Sequence, residues 1–386
     1  MKLNKWTYGL ASAGLISFCS TTQAEEAASQ LMTALSGTTI SGYASASYIN
    51  VLGADGMAGQ PHYTPAGNSV PLGDGFRLDI VGLTLQKATD PSQGFSAGYT
   101  ANVILGPDAV NYSDAMGLGS DEFSLQSAHV DLYAPVGNGL NITAGHFDTI
   151  VGYEVIAPAA NGNYTRSYGF NTEPFTHTGV KLDYEVNDIV AVTAGVANAA
   201  GGINSISSRP TVNANTGTDF EALSVMGAIS ITLDDNAGAL EGSNIYFAVV
   251  NGTPDFGGAD VTHYFASLTL PTAASGLDLG FSWDYRESAG YAAAYGLYAA
   301  YAPENSEFSV NLRGEYASSN NGYFGLDGND EDIYAITGTL NYNLWENVLT
   351  RLEIRYDWDA AAGAFGDPGS MDDDQWLIAL NAVYSF

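Results

Sequence analysis

Residues 277–286 read Leu277-Asp278-Leu279-Gly280-Phe281-Ser282-Trp283-Asp284-Tyr285-Arg286. Leu277, Leu279, Phe281, Trp283 and Tyr285 fall on one face of an extended chain, and the alternate residues, small or polar, fall on the other. That period of two is the signature of a strand with one apolar and one wet face. The split recurs at Phe308, Val310, Leu312 and Tyr316 against Ser309, Asn311, Arg313 and Glu315. It recurs again at Leu352, Ile354, Tyr356 and Trp358 against Arg351, Glu353, Arg355 and Asp357.

Worked outward, the pattern predicts sixteen strands, the first at 38–50 and the last at 374–386. At 11 to 16 residues each they are longer than the roughly 5 to 6 usual in globular sheets, and suit tilted strands that cross a bilayer. Short connections, such as Asp90-Pro-Ser-Gln93 and Pro135-Val-Gly-Asn138, alternate with long ones at 51–75, 107–121, 151–172, 201–218, 319–329 and 359–373. This asymmetry is expected of a transmembrane antiparallel β-barrel with tight turns at one rim and long loops at the other. Aromatic residues cluster at strand ends, as interfacial girdles require: Tyr184, Tyr301, Tyr342 and Tyr384 at one end, Trp283, Tyr285, Tyr316, Tyr356 and Trp358 at the other. Tyr133 breaks the rule by sharing a face with His129 and Asp131, which predicts a bulge in that strand.

Of 386 residues, 46% are apolar and only 14% charged, with 42 acids against 11 lysines and arginines and a formal charge of -31. Phosphate backbones need clustered cations, so nucleic acid is not an expected partner. Lys2 and Lys5, the apolar stretch Leu10 to Phe18 and Thr22-Gln-Ala24 read as an export signal over 1–24. Removing it takes away two cations and Cys19, the only cysteine, so nine cations face the same 42 acids. A short periplasmic segment over 25–37 follows, with Ala28, Leu31, Met32 and Leu35 on one face of a short amphipathic helix; the barrel then runs from 38 to 386. The chain ends in Phe386 with Tyr384, Ala382, Leu380 and Ile378 at alternate positions. This end is similar to the carboxy-terminal assembly signal of Gram-negative outer-membrane barrels, which makes Phe386 and Tyr384 its carriers and the barrel assembly machinery a partner.

The stretches Ala144-Gly-His-Phe-Asp148, Gly152-Tyr-Glu154, Asn163-Tyr-Thr-Arg-Ser167 and Glu173-Pro-Phe-Thr-His-Thr-Gly179 resemble the β-barrel porin family related to the L-type outer-membrane porin. They lie within Leu125 to Asn198, about a fifth of the chain. The resemblance implies a water-filled outer-membrane porin and brings neither catalytic residues nor a defined substrate.

A sixteen-stranded barrel is too wide for its own side chains to fill, so an aqueous channel is expected unless a segment folds inward. Residues 151–172, after the fifth strand and carrying Glu154 and Arg166, are the expected constriction loop; an ordinary surface loop is the alternative. Arg77, Arg286, Arg313, Arg351 and Arg355 fall on polar strand faces along one arc. They are expected to line a lumen wall opposite acids such as Glu154, setting a transverse field, or to pair internally with Glu315, Glu353, Asp357 and Asp284, and the two readings can hold together. The acidic stretches 327–332 and 372–374 read as solvated loops rather than calcium sites. His146 and Asp148 share a face without a serine or second acid at a catalytic spacing, so no enzyme, metal or cofactor is expected. The expected function is passive diffusion of small hydrophilic solutes and ions with weak cation preference. A substrate-specific channel, a barrel hydrolase or adhesin, and a soluble secreted β protein are the alternatives. Lipid and lipopolysaccharide are the expected surroundings, and a homotrimer is one oligomeric state open to the chain.

Overall fold

The computed structural model describes residues 37–52, 74–109, 123–200, 223–253, 260–272, 274–324, 330–359 and 374–386. The expected signal 1–24, the amphipathic helix within 25–35 and, of the acidic stretches, residues 327–329 and 372–373 lie outside the described residues. Sixteen strands form: β1 (Thr38–Leu52), β2 (Gly75–Lys87), β3 (Ser96–Leu105), β4 (Phe123–Ala134), β5 (Leu140–Asp148), β6 (Thr176–Glu185), β7 (Val190–Ala197) and β8 (Ser224–Thr232). They continue as β9 (Asn244–Gly252), β10 (Val261–Pro271), β11 (Leu277–Glu287), β12 (Tyr291–Tyr301), β13 (Phe308–Ser319), β14 (Glu331–Trp345), β15 (Val348–Asp359) and β16 (Asp374–Ser385). A short α-helix, α1 (Tyr168–Thr172), and a 3-10 turn at Pro158–Ala160 lie between β5 and β6.

Each strand pairs antiparallel with its sequence neighbours, and β1 pairs with β16 from Tyr43 opposite Ser385 to Leu52 opposite Trp376, closing the barrel. Beyond the last strand residue, Gly42 and Phe386 exchange two backbone hydrogen bonds of 3.0 Å. Closure leaves no open sheet edge, which a bilayer could not satisfy.

Alternation sorts the two faces. Leu297, Ile336, Leu312 and Leu380 point outward and stay 53–65% exposed, whereas Arg313, Thr337, Glu353 and Asn381 point inward and are buried. The apolar band is therefore outside and the polar groups inside, the reverse of a soluble protein and the arrangement of a lipid-facing barrel. Near the long-loop rim the outward aromatics form a continuous belt. Tyr295, Tyr316, Tyr334 and Trp358 lie opposite one another across β12 to β15 with ring centroids 5.1–6.0 Å apart, and Tyr356 and Trp376 extend the row at 4.4 Å.

The bulge expected in β4 is present but sits at Gln126, where Val103 pairs with Leu125 and Asn102 with Ser127. Lying before His129, it leaves Tyr133 on the same face as His129 and Asp131. The strands flanking the expected constriction loop are shorter than the sequence pattern suggested, ending at Asp148 and resuming at Thr176. The neck is closed there by Thr149, whose N–H donates to the Phe175 carbonyl at 3.0 Å, so the inward excursion runs over 149–175.

Candidate functional site

The segment 149–175 does not stand on the rim. Thr149 bonds His177 through its hydroxyl, and the Ile150 carbonyl accepts from the Tyr246 hydroxyl at 2.6 Å. Ile150 and Val151 pack with Phe147, Ala197, Met226, Val250, Val261 and Phe265, an apolar patch spanning β5 and β7 to β10. From there the chain crosses the interior to the opposite wall.

Its crossing is braced from within. The Arg166 guanidinium donates to the carbonyls of Val155, Tyr164 and Ile156, each at 3.0 Å, and Asn161 bonds Val155 and Ala157. A backbone with few regular hydrogen bonds thus has its carbonyls satisfied by side chains, as burial demands. Ser167 caps α1 by accepting from the Phe170 N–H, a standard N-cap role for serine.

The far wall holds the segment by its main chain. Glu353 accepts from the N–H groups of Tyr164 (2.6 Å) and Thr165 (2.9 Å), and Glu315 from that of Tyr168 (2.8 Å). Arg313 donates to the Thr165 carbonyl, Arg355 to the Arg166 carbonyl, and Arg351 to those of Pro158 and Asn161, at 2.6–2.8 Å. Tyr168 donates its hydroxyl to Asp357, Asn341 donates to the Gly162 carbonyl, and Tyr164 reaches Asp79 on β2. Bonds to charged groups are the stronger kind, and eight strand side chains here converge on one loop.

Of the residues singled out in the sequence, Glu154, Arg166, Arg313, Arg351, Arg355, Glu353 and Glu315 are thus brought together. Rather than facing the arginines across a gap, Glu154 is in contact with Arg313 at 2.6 Å, and Arg313 also meets Glu315 at 2.8 Å. Arg355 pairs with Asp357. Arg313 and Arg355, each 1% exposed, are paired with Glu154, Glu315 and Asp357, whereas Arg351, 3% exposed, bonds Asn341 and two loop carbonyls instead of an acid. Arg77 stands apart on β2 with Asp79 and Asp108, and Arg286 lies over the Tyr323 ring at 5.0 Å. Burial pushes the Asp108 carboxyl up to about 7, against the opposing pull of Arg77. His146 and Asp148 are not bonded to each other: His146 contacts Thr178 and Asp148 accepts from Gln126.

Sequence reasoning missed one feature, a buried acid pair. Glu173, following α1, shares a hydrogen bond with Asp284 on β11, and burial together with the Asp284 and Glu154 charges holds its carboxyl well above the ordinary range. Two glycines make room for it: a Cβ on Gly152 would strike the Glu173 carboxylate, and one on Gly169 would strike that of Asp284. Gly152 also has φ +122°, a conformation other residues resist. The signal was present in the glycine and glutamate of the motifs at 152–154 and 173–179, but Asp284 lies over a hundred residues away in sequence.

A family model described as "Putative beta-barrel porin-2, OmpL-like" matches residues 37–386. No curated protein is similar enough in sequence to match. Among solved structures, the anion-selective porin from Comamonas acidovorans superposes with a TM-score of 0.57 at 13% identity, covering 90% of this chain and 99% of that one. The outer-membrane channel DcaP of Acinetobacter baumannii gives 0.56 at 9% identity over 90% and 97%. The trimer form of OmpT from Vibrio cholerae gives 0.53 at 12% identity over 90% and 99%. At these identities the likeness is one of fold.

Proposed function

We infer the function from the premise that this chain belongs to the β-barrel porin family whose model spans residues 37–386: it is an outer-membrane porin, a channel rather than an enzyme. Small hydrophilic solutes and ions diffuse through it passively in the outer membrane of a Gram-negative cell, reached through an export signal over 1–24 and the barrel assembly machinery. Lipid and lipopolysaccharide surround it. The observation that carries the reading is the inversion of the barrel, apolar outside and polar inside, around a closed sixteen-strand ring.

Residues 149–175 constrict the channel, since their main chain is fixed to mid-strand side chains of β13 to β15. Selectivity is weakly for cations, from the excess of acids over basic groups. The anion selectivity of the Comamonas porin remains a property of that protein. A homotrimer is the proposed assembly, in keeping with the OmpT trimer. Reconstitution into planar bilayers tests the function: stepwise conductance is expected, with a reversal potential in a KCl gradient on the potassium side. Folded protein without steps would refute the porin reading, and chloride preference at low salt would refute the selectivity.

A further inference from the structure

The infolded segment takes the arginine wall out of contact with water and leaves two aspartates of the opposite wall partly facing it. On that opposite wall, Asp131 (β4), Thr143 (β5), Lys181 and Asp183 (β6) and Thr193 (β7) form a polar patch. Register places Asp131 opposite Thr143 and Thr143 opposite Lys181, with Asp183 opposite Thr193. All point inward, because the alternate residues Val130, Leu132, Val180, Leu182, Val192 and Val196 are the exposed outer face.

Their bonds remain within the patch. Thr143 donates to Asp131 at 3.0 Å, Thr193 to Asp183 at 2.6 Å, Lys181 pairs with Asp183 at 3.2 Å, and His129 meets Asp131 at 3.1 Å. Both aspartates keep 27% of their side-chain surface in water and Lys181 keeps 9%, whereas Arg313 and Glu315 on the other wall keep 0% and 1%. The patch also stands level with the deepest docked part of the segment. Arg351, which holds Pro158 and Asn161, is three residues from the short-turn end of β15; Asp131 is three residues from that end of β4, and Asp183 two from that end of β6.

We propose that ions pass between the infolded segment and the β4–β7 wall, and that Asp131, Asp183 and Lys181, rather than the arginines of β13–β15, set the charge selectivity at the narrowest point. Two carboxylates, Asp131 and Asp183, stand against one ammonium, that of Lys181, on this wall. A charge lining a constriction acts on a passing ion with little intervening water, whereas charges sealed beneath 149–175 are neutralised by their partners and separated from it. The inference rests on the porin reading and specifies which of its side chains are read by the permeating ion.

The test is the reversal potential of reconstituted channels in a KCl gradient. D131N/D183N should lower the potassium-to-chloride permeability ratio roughly twofold or more, and K181Q should raise it. In a Cys19→Ser background, Thr193→Cys should react with a cationic thiosulfonate reagent and lose current, while Thr337→Cys, fully buried beneath the segment, should not. Conducting variants with an unchanged permeability ratio, or a Thr337→Cys that reacts as fast as Thr193→Cys, would overturn the proposal while leaving the porin reading intact. Folded wild-type barrels that conduct nothing would instead remove the porin reading on which it rests.

Discussion

Arg313 Nη1 donates to Glu154 Oε1 at 2.6 Å, joining a strand to a loop 159 residues away in sequence. The same guanidinium reaches Glu315 and the Thr165 carbonyl, and Glu154 accepts from the Ser167 N–H at 2.6 Å. One buried cation therefore ties together both limbs of the infolded segment and the barrel wall.

Removing that cation leaves two acids without their strongest partner in a site closed to water. Loss of one member of a buried ion pair costs about 3–5 kcal/mol. Arg313→Met should therefore lower the temperature at which the folded barrel loses its compact gel mobility, and should raise single-channel conductance as 149–175 loosens. Glu154→Gln keeps the shape and one acceptor, so its effect should be smaller. Wild-type conductance and stability in Arg313→Met would show that the segment is held by other contacts.

Phe386 supports closure. Its two backbone bonds to Gly42 extend the β1–β16 seam, and its ring lies against Gly42, where a Cβ would collide with it. Tyr384, 6.2 Å away between centroids, shares the outward face. Deleting Phe386 removes the seam's last rung and the terminal aromatic together, so the fraction of heat-modifiable barrel recovered from membranes should fall. Unchanged recovery would separate closure from assembly.

What could be read in advance divides along range in sequence. Strand number, the alternation at 277–286 and the terminal Phe386 are local patterns, and each has its counterpart in the barrel. The meeting of Glu353 with the N–H groups of Tyr164 and Thr165 is not local: alternation says that Glu353 points inward but nothing about what lies against it. The arginines illustrate the same limit. Their face was legible, whereas their burial depends on a loop seven or more strands earlier, and only register plus the depth of its fold could decide between a free wall and a covered one.

Face assignment has a direct energetic test at two neighbours. Leu312 is outward and 53% exposed to what would be lipid, while Asn311 is inward, with Gly162 against its side-chain amide. Leu312→Arg near the membrane midplane should cost about 2–4 kcal/mol of folding free energy in lipid vesicles. Asn311→Arg meets the polar interior and should cost less, with its main effect on conductance through contact with the segment. Equal costs at the two positions would mean that the faces are misassigned.

The acid pair makes the docking of 149–175 depend on pH in a definite sense. Glu173 is held above its ordinary value of 4.5 because burial, Asp284 and Glu154 all oppose its charge, with the Tyr153 N–H as the opposing influence. Arg286 on β11, His263 on β10 and Tyr323 also face this region. A carboxyl raised in the folded state binds its proton more tightly there than in the unfolded chain, so its contribution is full at low pH. It is lost as pH climbs from the ordinary glutamate value toward the raised one. Heat stability of the barrel should therefore decline above about pH 5, and conductance should rise in the same interval as the pair ionises and repels. Glu173→Gln keeps a donor toward Asp284 at every pH and should flatten both profiles. Stability that climbs over that interval in the wild type, or an unchanged decline in Glu173→Gln, would show that the proton shared between Glu173 and Asp284 does not fasten the segment.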